Sequence, residues 1–360
     1  MPLIQTLPGG PLDIVGDIHG EAEPLLQLVE RLGYRASGSH PQGRHLVFVG
    51  DYCDRGPDSP AVFAHVRRWI EAGHAWGILG NHEINLLRAD IKDGSGWFFD
   101  ERLERDTPRY APFARPAPEE RAEILRFARQ LPLILERGDL RIVHAAWHAP
   151  SIAAVRALGD ADVVAQYDAW EELAHERARR TGLDRRMAEE LARWGHDLED
   201  PEHTPAMLAA HAEHEADKQS MNPLKVLTSG LEALGQRPFY AGGRWRFVDR
   251  QPWWNAYTDD IPVVVGHYWR RVRPVSPAVR GRGYLDIFQG APPDAWLGPR
   301  GQVFCVDYSV GGRWIERKTG DPVGQEFKLA ALRWPEAELL FDDGSRLATR
   351  PGHPATVATS

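Results

Sequence analysis

Two cysteines in 360 residues, Cys53 and Cys305, are too few for a disulfide framework, and they stand far apart in apolar or motif contexts. A reducing, cytoplasmic setting is the expectation. No apolar run approaches the ~18 residues that a membrane-spanning helix requires, and the first strand begins near Leu12 without a basic and apolar leader. No membrane anchor is therefore expected. Positive charge is also in deficit: 43 Lys and Arg stand against 51 Asp and Glu, a formal net charge of -8. Affinity for a phosphate backbone rests on clustered basic residues, so no nucleic-acid partner is expected.

What remains is an ordinary globular composition, 42% hydrophobic and 26% charged, in a chain long enough to bury a large core as one domain with insertions or as two. Residues 11–90 alternate strand-like runs (LDIVGD, HLVFVGD, AWGILGN) with amphipathic helical stretches (EAEPLLQLVERLGY, SPAVFAHVRRWIEAG). In the first stretch Leu25, Leu28, Val29 and Leu32 recur at helical spacing and form one apolar face. This βαβαβ pattern predicts an α/β protein with a mostly parallel sheet and function at the carboxyl ends of its strands.

Those ends carry the chemistry. GDIHG at Gly16 to Gly20, GDYCDRG at Gly50 to Gly56 and GNHE at Gly80 to Glu83 each follow an apolar run, while His144 closes LRIVH and His267 closes IPVVVGH. Asp, Asn and Gly are common turn residues, but three such blocks at successive strand ends weigh against a merely structural reading. Two divalent cations ~4 Å apart clamp the attacking and leaving oxygens of a phosphoryl displacement, and such a pair needs a shared carboxylate. Asp51 is the candidate bridge, with Asp17 and His19 completing one metal site and Asn81, His144 and His267 the other. Mixed carboxylate, imidazole and amide ligands suit Mn first, then Fe or Zn, over Ca. Arg55 offers a planar fork of donors to two phosphoryl oxygens. His82 is placed to protonate a leaving oxygen if Asp54 accepts its other N–H.

The run GDIHG, GDYCDRG, GNHE, a later strand-end His and GH resembles the phosphoprotein phosphatase branch of the calcineurin-like metallophosphoesterases. The motifs are dense over 13–83 and then touch 144, 267 and roughly 303–333. The resemblance implies an αββα sandwich of two mixed sheets, a dinuclear metal centre and phosphoester hydrolysis by in-line attack of a metal-bound hydroxide. It assigns Asp17, His19 and Asp51 to the first metal, and Asp51, Asn81, His144 and His267 to the second. Arg55 becomes the phosphate clamp, and Asp54 with His82 the acid dyad. GH continues as Tyr268 and Trp269, without the second histidine of many broader metallophosphoesterases. Where the branch usually reads HGG or HAG, this chain has His144, Ala145, Ala146. Its ending is more similar to bacterial members, among them symmetrical diadenosine tetraphosphate hydrolases and small protein phosphatases. A second phosphate-binding arginine is expected before GH, with Arg244, Arg246 and Arg250 as candidates.

The rest of the chain divides around these blocks. Residues 1–150 read as the N-terminal half of the core, 151–235 as a helical cap insertion, 236–348 as the C-terminal half and 349–360 as a flexible tail. Residues 91–118 read as a loop or lid, and a helix is predicted from about Pro118 to Gln130. From Ile261 onwards the alternating runs, RWIERKT included, predict strands of a second sheet packed on the first. The histidines at 196, 203, 211 and 214 read as a solvated helix face, and Trp97, Trp253 and Trp254 as packing residues. The function expected first is hydrolysis of phosphomonoesters in a phosphorylated protein or small molecule. The alternative is hydrolysis of a dinucleoside polyphosphate such as diadenosine tetraphosphate, which calls for base-stacking aromatics near the metals. A noncatalytic scaffold is the remote third reading, disfavoured because every ligand block is complete.

Overall fold

The computed structural model describes residues 2–241, 243–273 and 286–350. Its strands in the first half are β1 (Ile4–Thr6), β2 (Leu12–Val15), β3 (His45–Phe48), β4 (Ala75–Gly77), β5 (Ile134–Arg137) and β6 (Leu140–Val143). The second half adds β7 (Glu232–Ala241), β8 (Arg244–Arg250), β9 (Val263–Val265), β10 (Val303–Cys305), β11 (Ala330–Trp334), β12 (Glu338–Phe341) and β13 (Arg346–Ala348). One sheet runs β13-β12-β11-β2-β3-β4, and the other runs β1-β5-β6-β9-β10. Both are mixed: β2, β3 and β4 are parallel, whereas β11 lies antiparallel to β2, with Leu332 opposite Ile14.

Strand alternation explains why two sheets stack. Leu12, Ile14, Val47 and Val49 from one sheet meet Leu140, Ile142, Val264 and Phe304 from the other in a single buried cluster. The residues between them point outwards, so Val15, Leu46 and Phe48 pack under helices instead. Those helices are α1 (Ala22–Leu32) and α2 (Ser59–Glu71). Leu25, Leu28, Val29 and Leu32 form the buried face of α1, which stops at Gly33 in the left-handed region (φ 96°). Asp58 caps α2, its side chain accepting from the Ala61 N–H at 3.0 Å.

Further helices are α3 (Asn81–Leu87), α4 (Asp100–Tyr110) and α5 (Pro118–Ala128). Helix α4 falls inside the stretch expected to be a loop or lid. Acidic Asp100 and Glu101 in its first turn and an Arg102–Asp106 pair at 2.8 Å support a helix that its Gly and Pro flanks conceal. Then come α6 (Ala149–Leu158), α7 (Val163–Thr181), α8 (Leu183–Trp194), α9 (Ala209–Ser220) and α10 (Pro223–Ser229), followed by the β7–β8 hairpin. Helices α7 to α9, the loop joining α8 to α9 and the hairpin bury two small clusters, one around Trp245, Phe247, Leu198 and Leu208, the other around Ala178, Leu183 and Ala210.

The C-terminal third departs from expectation in two ways. Its strands do not build a separate sheet: β9 and β10 join β6, whereas β11, β12 and β13 extend the sheet of β2. RWIERKT is a helix, α11 (Arg313–Thr319), ended by Gly320 in the left-handed region (φ 77°). Two ion pairs fix it, Arg313 with Asp342 at 2.6 Å and Arg317 with Glu21 at 2.7 Å. Beyond Arg350 the expected tail lies outside the described residues, as do the first residues of GYLDIF. Among the described residues no helix is long and apolar enough to cross a membrane.

Candidate metal centre

Asp17, Asp51 and Asn81 follow β2, β3 and β4, and His144 and His267 follow β6 and β9, so the ends of both sheets supply the groups. Backbone conformation is unusual at this edge. His19, Asp51, Asp54, Arg55, His267 and Trp269 are six of ten non-glycine residues with positive φ among those described. Each such residue costs roughly 1–3 kcal/mol, and strain gathered at one place marks function more than packing. Glycine permits the crowding, since a Cβ at Gly80 would overlap Asp51 Oδ1 and one at Gly266 would overlap Asp17 Oδ1.

Asp51 is the hub. Its Oδ2 lies 3.3 Å from His144 Nε2, 3.8 Å from His19 Nε2 and 3.9 Å from His82 Nε2. Asp17 Oδ2 is 4.0 Å from His19 Nε2 and accepts the His267 N–H at 2.9 Å. Asn81 Oδ1 meets His267 Nδ1 at 3.0 Å. His144 Nδ1 is engaged by the Val49 carbonyl at 2.7 Å and His19 Nδ1 by the Cys53 carbonyl at 3.0 Å, which fixes both rings. All six sequence-predicted ligands therefore converge. Two groups, His19 with Asp51 and His82, and Asp51 with His144 and His267, each bring ligand atoms within 4.8 Å.

These residues fit a cation pair. Asp17 Oδ1, His144 Nε2 and His267 Nε2 are buried without any hydrogen-bond partner, an arrangement that costs ~1–3 kcal/mol per group unless something else occupies the donors. Electrostatics point the same way. Burial opposes ionisation of Asp51, yet the imidazoles of His144, His82 and His19 outweigh it and hold the carboxyl well below the usual range. Burial also opposes a proton on His144, but Asp51 and Asp17 push that imidazole up to about 10. Burial, then the Arg250 and His144 charges, push His267 well down, and burial with Arg55 does the same to His19.

Beside the ligands, His82 Nδ1 meets Asp54 Oδ2 at 2.5 Å, while Asp54 Oδ1 accepts from Trp97 Nε1 at 2.6 Å. Arg55 Nη1 lies 2.9 Å from His19 Nε2, and its guanidinium sits 4.9 Å from the centre of the half-buried Trp269 ring. Of the three arginine candidates, Arg244 and Arg246 face Glu215 at 3.9 and 3.5 Å. Arg250 is the one whose charge reaches His267. The alanines after His144 are accommodated, Ala145 N–H donating to the Leu227 carbonyl at 2.9 Å and Trp253 Nε1 to the Ala145 carbonyl at 3.0 Å.

Sequence reasoning passed over three supporting residues. Glu83, quoted in GNHE without a role, accepts backbone N–H groups of Asp51, Tyr52 and Gly80 at 2.9, 2.8 and 3.0 Å, locking two ligand blocks together. Asp307 takes the Trp269 N–H at 2.7 Å and so sets the loop after His267. Trp269 itself faces Arg55; the only signal for it was its place directly after GHY. His211 is also unlike its reading, being buried and paired with Glu190 at 3.0 Å.

Residues 10–267 match the calcineurin-like phosphoesterase family, and the chain belongs to it. Similar curated proteins are the asymmetrical bis(5'-nucleosyl)-tetraphosphatases PrpE of Geobacillus sp. (strain WCH70), 35% identical over 142 residues, and of Bacillus subtilis (strain 168), 32% identical over 146 residues. The matches take in 37% and 39% of this chain and 56% and 59% of those proteins, so the chain spans less than two thirds of their length. A similar solved structure is the cold-active protein-tyrosine phosphatase of a psychrophile Shewanella species, with 17% identity, a TM-score of 0.46, and coverage of 97% of this chain and 83% of that one. The family resemblance read from the motifs and the α/β fold of two mixed sheets are borne out.

Proposed function

We propose that this protein is a metal-dependent phosphoesterase that hydrolyses a dinucleoside polyphosphate, with phosphomonoesters as the second reading. The observation that carries the substrate is Trp269, an indole placed against the Arg55 guanidinium at the edge of the ligand cluster. A clamp for phosphate and an aromatic surface for a base then stand side by side. The names of the curated relatives support the same reading.

Asp17, His19 and Asp51 would hold one divalent ion, and Asp51, Asn81, His144 and His267 the other, Mn being the first choice. Bound there, the ions supply Lewis acidity and lower the pKa of water. Arg55, once released from His19, and Arg250 orient the phosphoryl oxygens. Asp54 accepts the Nδ1–H of His82, and with a proton on Nε2 as well the ring gives that second proton to the departing oxygen and stays neutral, its Nδ1–H still held by Asp54. Trp97 keeps Asp54 in place. The segment 151–235, with the β7–β8 hairpin beyond it, governs access to this end of the sandwich. Two free, buried cysteines suit a reducing cytoplasm.

A substrate panel after reconstitution with Mn tests the proposal, comparing diadenosine tetraphosphate, mononucleotides and phosphopeptides. The dinucleotide should show the highest kcat/KM, and Trp269→Ala should lower that value about 10-fold while sparing an aryl phosphate. A phosphopeptide preferred over the dinucleotide would transfer the assignment to the second reading. Product analysis separates two molecules of ADP from ATP plus AMP.

A further inference from the structure

A second group of metal-ligating side chains lies away from the phosphoesterase centre, in the loop joining α8 to α9. His196, Asp200 and His203 each offer a ligand atom, all within 4.8 Å of one another. The two imidazole rings stack with centres 4.0 Å apart, and His203 Nδ1 meets Asp200 Oδ2 at 2.7 Å. We propose that these three residues form a separate binding site for a divalent transition metal in the cap.

The loop is built to hold them. Trp245 N–H donates to the Leu198 carbonyl and Trp245 Nε1 to the Asp200 carbonyl, both at 2.8 Å, and Tyr240 Oη donates to the Glu199 carbonyl at 2.8 Å. Asp200 is oriented from its other side, Oδ1 accepting the Glu202 N–H at 2.8 Å. Leu198 sinks into the cluster of Trp245 and Phe247. The ligands thus arrive on fixed backbone, which removes most of the ordering penalty that a free loop pays on binding metal.

Ligand chemistry selects the ion. Two imidazoles and a carboxylate favour Zn, Ni or Cu over Ca or Mg, and Asp197, Glu199 and Glu202 add negative field around the loop. The hydrogen bond joining Asp200 to His203 holds two donors together; binding exchanges it for the cation and turns one of the stacked rings so that both imidazoles direct a nitrogen lone pair at the ion. The consequence is structural: Glu199 also pairs with Arg105 of α4 at 3.1 Å, so metal in this loop stiffens the junction between cap and α4.

The 196–203 spacing looks helical in sequence, but the residues occupy a loop after Gly195, which is why periodicity hid their convergence.

Metal stoichiometry tests the site. Chelator-stripped full-length protein is dialysed against Zn2+ and, separately, Ni2+, and bound metal is measured per chain. Wild type should retain one equivalent more than His196→Ala, His203→Ala or Asp200→Asn, and the same difference should persist when each is combined with Asp51→Asn, which disables the phosphoesterase centre. Because these side chains are exposed or half-exposed, the variants leave the folded core intact. Equal metal content in wild type and all three variants overturns the proposal, and does so without touching the phosphoesterase reading.

Discussion

The candidate metal end of the sandwich and the helical segment 151–235, the proposed cap, are held together by opposite means. At the metal end, Asp17, His19, Asp51, Asp54, His82, His144 and His267 are all buried, and their loops are tied by backbone-to-carboxylate bonds through Glu83 and Asp307. In the cap, many polar contacts are surface ion pairs, such as Arg186–Glu213 at 2.9 Å and Arg177–Asp217 at 2.7 Å, over small apolar clusters. Buried networks fail when one member is removed, whereas exposed pairs contribute ~0–1 kcal/mol each. The candidate ligands are therefore held by buried, mutually dependent contacts, whereas segment 151–235 rests on contacts that tolerate change.

The largest effect should come from breaking the rigid side at its proton donor. His82→Ala is expected to keep bound metal and lower kcat by ~10²- to 10⁴-fold on a poor leaving group. On an aryl phosphate with a good leaving group the loss should shrink; equal losses on both would remove His82 from the donor role.

A smaller effect should follow pH. In the metal-free protein the His144 imidazole is pushed up to about 10, burial opposing the proton and Asp51 and Asp17 favouring it. A metal bound by His144 would have to displace that proton at neutral pH, so apparent affinity should rise with pH, by up to ~10-fold per unit below that value for a single proton released. Calorimetric titration in buffers of different ionisation enthalpy reads the proton directly; no proton release at pH 8 would contradict the assignment. The sign for stability is the reverse. A raised folded-state value contributes stability that is complete below the ordinary histidine value of 6.5 and lost as pH climbs towards about 10, so metal-free protein should melt progressively earlier across that window.

The smallest effect should be in the cap. Arg186→Ala removes an ion pair whose partners are 48% and 39% exposed and should cost less than ~1 kcal/mol, a melting shift of about 2 °C or less. A loss several times larger would erase the contrast between the two regions.

The metal end was legible because its chemistry demands particular residue types at strand ends, and Asp17, His19, Asp51, Asn81, His144 and His267 do meet there. Residues that act through backbone were not legible. Glu83 and Asp307 look like any acidic residue until folding shows which N–H groups they accept. Periodicity failed in short segments: seven residues of RWIERKT fit a strand as well as a helix, and buried pairing of Arg313 with Asp342 decided between them. Sheet membership of β11 to β13 was equally hidden, since alternation shows that a strand has a buried face but not which neighbour it joins.

That membership bears on how the molecule is assembled during synthesis. Strand β2, which leads directly into Asp17 and His19, is flanked by β3 on one side and by β11 on the other, more than 300 residues further along the chain. One flank of the strand that launches the first ligand block can pair only once residues 331–334 have been made. Closing so long a loop is slow. The sheet that carries Asp17 and His19 is thus completed around β2 only after Asp51, Asn81, His144 and His267 are already part of the chain.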